Sequence, residues 1–82
     1  MNKYLVTLYV PLLQTKYDVL IPSSKRVIDF IDYSLKIIDK LVDQKFNVNN
    51  CELINRENGN IYKKEEIIIN TDIKNGTELI II

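Results

Sequence analysis

One stretch decides the fold of this chain: Ile73-Lys74-Asn75-Gly76-Thr77-Glu78-Leu79-Ile80-Ile81-Ile82. Its Asn-Gly pair predicts a tight turn, because both residue types tolerate the positive φ angles that such turns need. Four apolar residues follow it, in a position where chains are usually polar and mobile. A hydrophobic run there predicts a strand paired within a sheet, with no reactive tail at this end. The pleat would turn Leu79 and Ile81 to the core and the alternate isoleucines outward.

Two further strands are predicted near the N-terminus. Residues 4–10 are β-branched and aromatic, and Pro11 ends them because proline cannot donate to a ladder. Residues 16–21 alternate in polarity, and Pro22 stops this second strand. The short connection makes the two strands an antiparallel hairpin. The residues of the second strand expected to face the core are Tyr17, Val19 and Ile21.

A single long helix is predicted over about residues 24–44. Ser23 and Ser24 offer an N-cap, and a period of 3.6 residues follows. The apolar half of the helix is wide, so we expect the helix to lie in the concave face of a curled sheet. That half contains Val27, Ile28, Phe30, Ile31, Ser34, Leu35, Ile37, Ile38, Leu41 and Val42.

The remaining segments complete an α+β arrangement. Residues 51–55 predict a short strand, Asn58-Gly59 a turn, residues 60–62 a brief returning strand, and residues 67–76 a connection to the last strand. The order of elements favours a mixed sheet of four to five strands with the helix packed across it. We expect one domain over residues 1–82 and a β-grasp fold.

Composition narrows the classes of function. The 82 residues are 46% hydrophobic, so a small folded domain is expected rather than disorder. Eleven basic residues balance eleven acidic ones, which gives no electrostatic case for nucleic acid or an anionic membrane. No apolar run reaches membrane-spanning length, and the N-terminus does not resemble a signal peptide. We therefore expect a cytoplasmic protein. The abundance of isoleucine, asparagine and lysine suggests a low-GC bacterial genome.

The residue types present give little support for a catalytic, cofactor-binding or metal-binding site. The chain has no histidine, so its one cysteine, Cys51, lacks the usual activating partner and is expected to be structural. The helix carries Asp29, Asp32, Asp39 and Asp43, which could be taken for a hard-cation site. Interspersed lysines favour a solvated face instead. We expect a protein that is not an enzyme and binds no cofactor.

The sequence resembles the ubiquitin-like superfamily over nearly its whole length. The resemblance rests on the hairpin, the Pro22-Ser23-Ser24 entry to one long helix, and the closing pattern from Ile73 to Ile81. Within the superfamily, Thr15-Lys16-Tyr17-Asp18-Val19-Leu20-Ile21-Pro22 resembles the small YukD/EsaB-type proteins of Gram-positive type VII (WXG100) secretion systems. Conjugating members act through a Gly-Gly tail, whereas the glycines here are Gly59 and Gly76, both in predicted turns. The resemblance thus implies a non-conjugating module that binds other proteins.

A docking surface is expected on the outer side of the last strand and the first hairpin loop. Its extent depends on the register of the first strand, which presents either Tyr9 or Leu8 on that side. In the opposing interpretation, the loop leucines fold back over the core and the last residue frays. The predicted protein-binding residues are Tyr9, Leu12, Leu13, Ile80 and Ile82.

Three hypotheses for function remain open. The first is an adaptor of a type VII secretion system that docks to a cytoplasmic part of the membrane machinery. The second is a ubiquitin-like carrier associated with an enzyme, whose reactive tail is missing or supplied elsewhere. The third is a self-associating structural module, a homodimer for example, formed through an exposed isoleucine-rich edge.

Overall fold

A computed structural model describes residues 2–43 and 45–82. Within those residues the chain forms four strands and one α-helix. Single-turn 3-10 helices occupy Pro11–Leu13, Val48–Asn50 and Ile68–Asn70. The main elements are β1 (Lys3–Val10), β2 (Thr15–Pro22), α1 (Val27–Val42), β3 (Leu53–Asn55) and β4 (Glu78–Ile81).

The N-terminal hairpin is confirmed, with longer strands than the sequence predicts. β1 and β2 pair antiparallel from Lys3 opposite Pro22 to Val10 opposite Thr15. Alternate residues of β1 are buried, because the pleat turns one side of the strand to the core. Gln14 closes the hairpin loop with a φ of 51°.

The last strand occupies the middle of the sheet, whose order is β2-β1-β4-β3. β4 runs parallel to β1 and antiparallel to β3. Leu79 and Ile81 are buried under the helix as predicted. The pairing continues one residue further, since the Ile82 N–H donates to the Glu52 carbonyl at 3.1 Å and the Glu52 N–H donates to the Ile82 carbonyl at 3.0 Å. The predicted α+β β-grasp is confirmed.

The central position of β4 corrects one expectation. The isoleucine-rich strand is not an edge, so it cannot pair with another chain as the self-association hypothesis required. The brief returning strand is also reduced, to a single bridge between Ile54 and Ile61 beside the Gly59 turn.

The helix starts later than predicted, and neither serine caps it. Arg26 precedes the first helical residue, and its N–H donates to the Asp29 carboxylate at 3.2 Å. Main-chain carbonyls of Glu66 and Lys64 accept from Val27 and Ile28, both at 2.9 Å. These long-range hydrogen bonds satisfy N–H groups of the first helical turn, as a serine cap would.

Both predicted capping serines belong to the turn that precedes the helix. Ser23 is buried there, and its hydroxyl donates to the Asn2 carbonyl at 3.0 Å. At the other end α1 stops at Val42 and is followed by Asp43 in a left-handed conformation. Gln44, where the predicted helix ended, lies outside the described residues.

One face of α1 closes the core, and it is narrower than the apolar half of the helix. Ile37 and Leu41 are 42% and 56% exposed, so this edge of the apolar half lies outside the core. The buried residues of the helix are Val27, Phe30, Ile31, Ser34, Leu35 and Ile38.

A polar network ties the segment after β3 to the loop before β4. The Tyr62 hydroxyl donates to the Asp72 carboxylate and accepts from the Asn55 side chain at 3.1 Å. Asn58 donates to the other Asp72 oxygen at 3.2 Å. The Tyr62 hydroxyl lowers the pKa of Asp72 below its usual value. Burial, followed by the Asp72 hydrogen bond, raises the pKa of Tyr62.

Candidate docking surface

An apolar row crosses the outer face of the sheet. Tyr9 of β1 lies opposite Ile80 of β4, Ile80 lies opposite Ile54 of β3, and Ile54 bridges to Ile61. Directly opposed side chains on one face are neighbours, so these four residues form a continuous strip. We call Tyr9, Ile80, Ile54 and Ile61 the outer row. Ile61, at its end, is 58% exposed.

The residues that alternate with the outer row along β1 and β3 are buried, and this shows which face of the sheet the outer row occupies. Leu8 is buried on the helix side, and this resolves the register that the sequence left open in favour of Tyr9. Leu53 and Asn55 are likewise buried on the helix side, which leaves Ile54 on the outer face.

A cation covers the aromatic member of the outer row. The Arg56 guanidinium carbon lies 5.1 Å from the centroid of the Tyr9 ring. The Arg56 N–H donates to the Glu78 carbonyl at 2.9 Å, which fixes the main chain beneath that side chain. Such a cation–π contact at an exposed site is worth roughly 0.5–1 kcal/mol. At the rim, Lys16 pairs with Glu78 at 3.8 Å, so the strip is bordered by charges of both signs.

An apolar cleft opens at the end of the sheet where β1 and β4 finish. Its volume is about 290 Å³. Leu12 and Ile82 lie at its mouth, and they are 59% and 65% exposed. The remaining lining residues come from both strands, the helix and the segment that follows it: Val10, Pro11, Leu35, Ile38, Phe46, Cys51 and Ile81.

The predicted docking residues fall into three groups. Tyr9 and Ile80 lie in the outer row, whereas Leu12 and Ile82 flank the cleft. Leu13 is half-buried and packs against the core, as the opposing interpretation had it. The structure thus brings four of the five residues to one end and one face of the sheet.

The sequence did not predict three residues of the docking surface, which are Ile54, Arg56 and Ile61. Ile54 could have been found, because it alternates with inward residues in the predicted strand 51–55. Ile61 lies in the predicted returning strand 60–62 and bridges to Ile54 of β3. Arg56 follows strand 51–55, and only the folded turn brings it beside β1 and β4. Nothing in the local sequence marks Arg56 as a member of this surface.

Cys51 lies in the wall of the cleft and is buried. Burial is the main cause that raises the pKa of its thiol, while the nearby Lys64 acts in the opposite direction. A thiol held protonated is a weak nucleophile. The residue therefore contributes packing to the cleft wall rather than reactivity.

The carboxylates of the helix are engaged individually and do not form a cluster. Asp29 accepts from the N-cap residue, Asp32 pairs with Lys36 at 3.4 Å, and Asp39 accepts from the Phe46 N–H at 3.2 Å. Over residues 2–43 and 45–82, no group of three potential metal ligands comes together. Among the described helices, none combines the length and apolar composition that crossing a bilayer requires.

Comparison with known proteins identifies the fold. No protein-family model and no curated protein matches this sequence. The ubiquitin-like domain of the Mycobacterium tuberculosis type VII secretion protein EccD1 is similar over 100% of this chain and 99% of that chain, with a TM-score of 0.72 and 13% identity. Caldiarchaeum subterraneum ubiquitin is similar over 98% of this chain and 91% of its own, with a TM-score of 0.77 and 7% identity.

The same fold recurs in a different setting. A chain of the toluene 4-monooxygenase HD complex covers 98% of this chain and 96% of its own, with a TM-score of 0.80 and 6% identity. Identities this low establish the fold alone, because one fold serves many functions. The chain has the ubiquitin-like β-grasp fold.

Proposed function

We propose that this chain is a non-catalytic, non-conjugating ubiquitin-like module, one domain over residues 1–82, that docks to a protein partner. The outer row and the mouth of the cleft form the docking surface. The partner would lay an apolar segment along the row and insert a side chain into the cleft. In this proposal the module acts in the cytoplasm as an accessory of a bacterial type VII secretion system.

The continuity of the two apolar features carries the proposal. Ile80 belongs to the outer row, and two residues later on the same strand line Ile82 lies at the cleft mouth. Leu12 lines the same cleft. Contiguous exposed apolar surface on a small protein commonly marks an interaction site.

The energetics fit a surface with a few anchors. Burying a Leu or Ile side chain that was exposed is worth roughly 1.5–3 kcal/mol. Leu12, Ile61 and Ile82 are all more than half exposed. Binding of a partner could therefore bury most of each side chain and gain most of this free energy. The half-buried Tyr9 and Ile80 would add shape and exclude water, which is the usual role of residues around hot spots.

The assignment to type VII secretion draws on two supports. One is the similarity of the whole chain to the EccD1 ubiquitin-like domain. The other is the resemblance of the β2 segment to YukD/EsaB-type proteins. Both are compatible with a module that binds a membrane-embedded component from the cytoplasmic side.

Substitution of the exposed anchors tests the surface. We expect Leu12→Glu and Ile61→Glu each to weaken partner capture at least about tenfold, which is about 1.4 kcal/mol. The matched control is Ile69→Glu, because Ile69 is also exposed and lies outside both the row and the cleft. Circular dichroism would establish that all three variants fold. If both anchor variants bind like the control, the surface is wrong.

A separate experiment tests the secretion role. Affinity purification from detergent-solubilised cells of the source organism, with mass spectrometry, should recover membrane components of a type VII apparatus. The Leu12→Glu protein should fail to recover them. A docking surface that captures only unrelated soluble proteins would retain the module and reject the secretion assignment.

A further inference from the structure

The edge strand β2 is the most open backbone of the fold. It has a single neighbour, β1, along its eight residues. Leu5 and Thr7 of β1 direct their main-chain groups to the segment before β4, since the Gly76 N–H donates to Leu5 and the Thr7 N–H donates to Thr77. The residues of β1 between them therefore bond to β2.

Hydrogen-bonded and non-bonded residues alternate along the β1–β2 hairpin, and this alternation determines which main-chain N–H and C=O groups of β2 are unpaired. The Ser23 N–H donates to the Asn2 carbonyl at 2.9 Å, so the hydrogen-bonded positions along the hairpin are every second residue from that pair. Val19 and Tyr17 fall on bonded positions. The N–H and C=O groups of Lys16, Asp18 and Leu20 consequently point away from the sheet, at an edge that no other described strand covers.

An apolar groove accompanies this edge on the helix side. A cavity of about 300 Å³ lies between β2 and α1, and its lining includes Tyr17, Val19, Tyr33 and Ile37. Tyr33 and Ile37 belong to the exposed margin of the helix, which the core does not use. A second cavity of about 410 Å³ continues past Leu20 towards the start of the helix. An added strand would find both a ladder of hydrogen bonds and an apolar wall.

The charged side chains of β2 can pair with those of a second copy of the same strand. Lys16 and Asp18 are two residues apart, so both side chains lie on the outer face. When two copies of β2 pair antiparallel about a two-fold axis at Tyr17, Lys16 of each copy lies opposite Asp18 of the other. An axis at Asp18 would instead oppose two carboxylates, and an axis at Val19 would oppose Lys16 to Pro22, which has no N–H to donate.

We propose that two copies of this chain form a symmetric dimer through antiparallel pairing of their β2 strands, with the two-fold axis at Tyr17. The four-stranded sheets join into one continuous sheet, and each Lys16–Asp18 pair exchanges two main-chain hydrogen bonds. On the helix side, the two Tyr17 rings meet over the groove beside Ile37. The outer row stays open on both copies, so the dimer would present two docking surfaces.

Charge exchange tests the dimer and its register together. Lys16→Asp and Asp18→Lys each place like charges opposite one another twice, and we expect each to weaken dimerisation about tenfold in sedimentation velocity. The double variant Lys16→Asp/Asp18→Lys restores opposite charges and should dimerise like the original chain. Lys36→Asp, which changes an exposed helix lysine outside the groove, is the control and should leave the dimer unchanged.

Amide exchange supplies the second measurement. The amides of Lys16 and Asp18 should be protected at high protein concentration and exchange rapidly on dilution, whereas the inward-bonded Val19 amide stays protected throughout. Single variants that dimerise as strongly as the double variant would overturn the register. A chain that is monomeric at every concentration would overturn the proposal and leave the β2 edge to a strand from another protein.

Discussion

Replacing Tyr62 by Phe removes one hydroxyl from the polar network and leaves the ring in the core. The hydroxyl is the acceptor of the buried Asn55 side chain and the donor to Asp72. A buried polar group left without its partner costs about 1–3 kcal/mol. We therefore expect Tyr62→Phe to lower the free energy of unfolding by about 2 kcal/mol at neutral pH.

The cost should depend on pH in a defined direction. Because the hydroxyl lowers the pKa of Asp72 in the folded state, its stabilisation is complete above the ordinary carboxyl pKa. That stabilisation is lost as pH falls through the lowered folded value. The difference between the original chain and Tyr62→Phe should hence shrink as the solution is acidified below about pH 4.

Urea denaturation at neutral and acidic pH measures both effects. Tyr33→Phe is the matched control, since Tyr33 is an exposed tyrosine on the helix, and it should change stability by less than about 0.5 kcal/mol. A Tyr62→Phe variant as stable as Tyr33→Phe would refute the network. A loss of stability that stays the same at every pH would refute the role assigned to the Asp72 carboxylate.

Two further substitutions probe the sheet and its turns. Leu79→Ala in the middle of β4 removes a fully buried side chain and should cost about 3 kcal/mol in urea unfolding, whereas Leu12→Ala at the exposed cleft mouth should cost less than about 0.5 kcal/mol; equal costs would contradict the central position of β4. Gly76→Ala should cost about 1 kcal/mol because Gly76 has a φ of 86°, although no atom lies within 4 Å of the added methyl group. Ser24→Ala, outside any left-handed position, should be close to neutral, and a Gly76→Ala variant equally neutral would contradict the strained turn.

The parts of the fold that local patterns specify were predictable. The helix follows from a period of 3.6 residues and the second strand from a period of 2. The first strand follows from a β-branched and aromatic run ended by Pro11, and the last strand from an apolar run after the Asn75-Gly76 turn. The helix start was not, because carbonyls of Glu66 and Lys64, far along the chain, take the place of the predicted serine cap. Sequence periodicity carries no information about such distant partners.

The docking surface was predicted only in part, because some of its contacts also involve residues far apart in the sequence. Tyr9 and Ile80 could be assigned to one face from the pleat once the burial of Leu8 fixed the register. Leu13 could not be separated from Leu12 by pattern, because both follow Pro11 in a loop without periodicity. The Arg56 contact depends on a turn that brings it over a strand far earlier in the chain.

The position of β4 has a consequence for how the protein is made. This strand leaves the ribosome after every other element of the fold, yet it fills the gap between β1 and β3. Until it clears the exit tunnel, a nascent chain can hold the early hairpin and the helix but has no closed core. Both flanks of the gap are then bare strand edges, which attract wrong partners. We therefore expect this fold to complete only after β4 has emerged, in a single cooperative step.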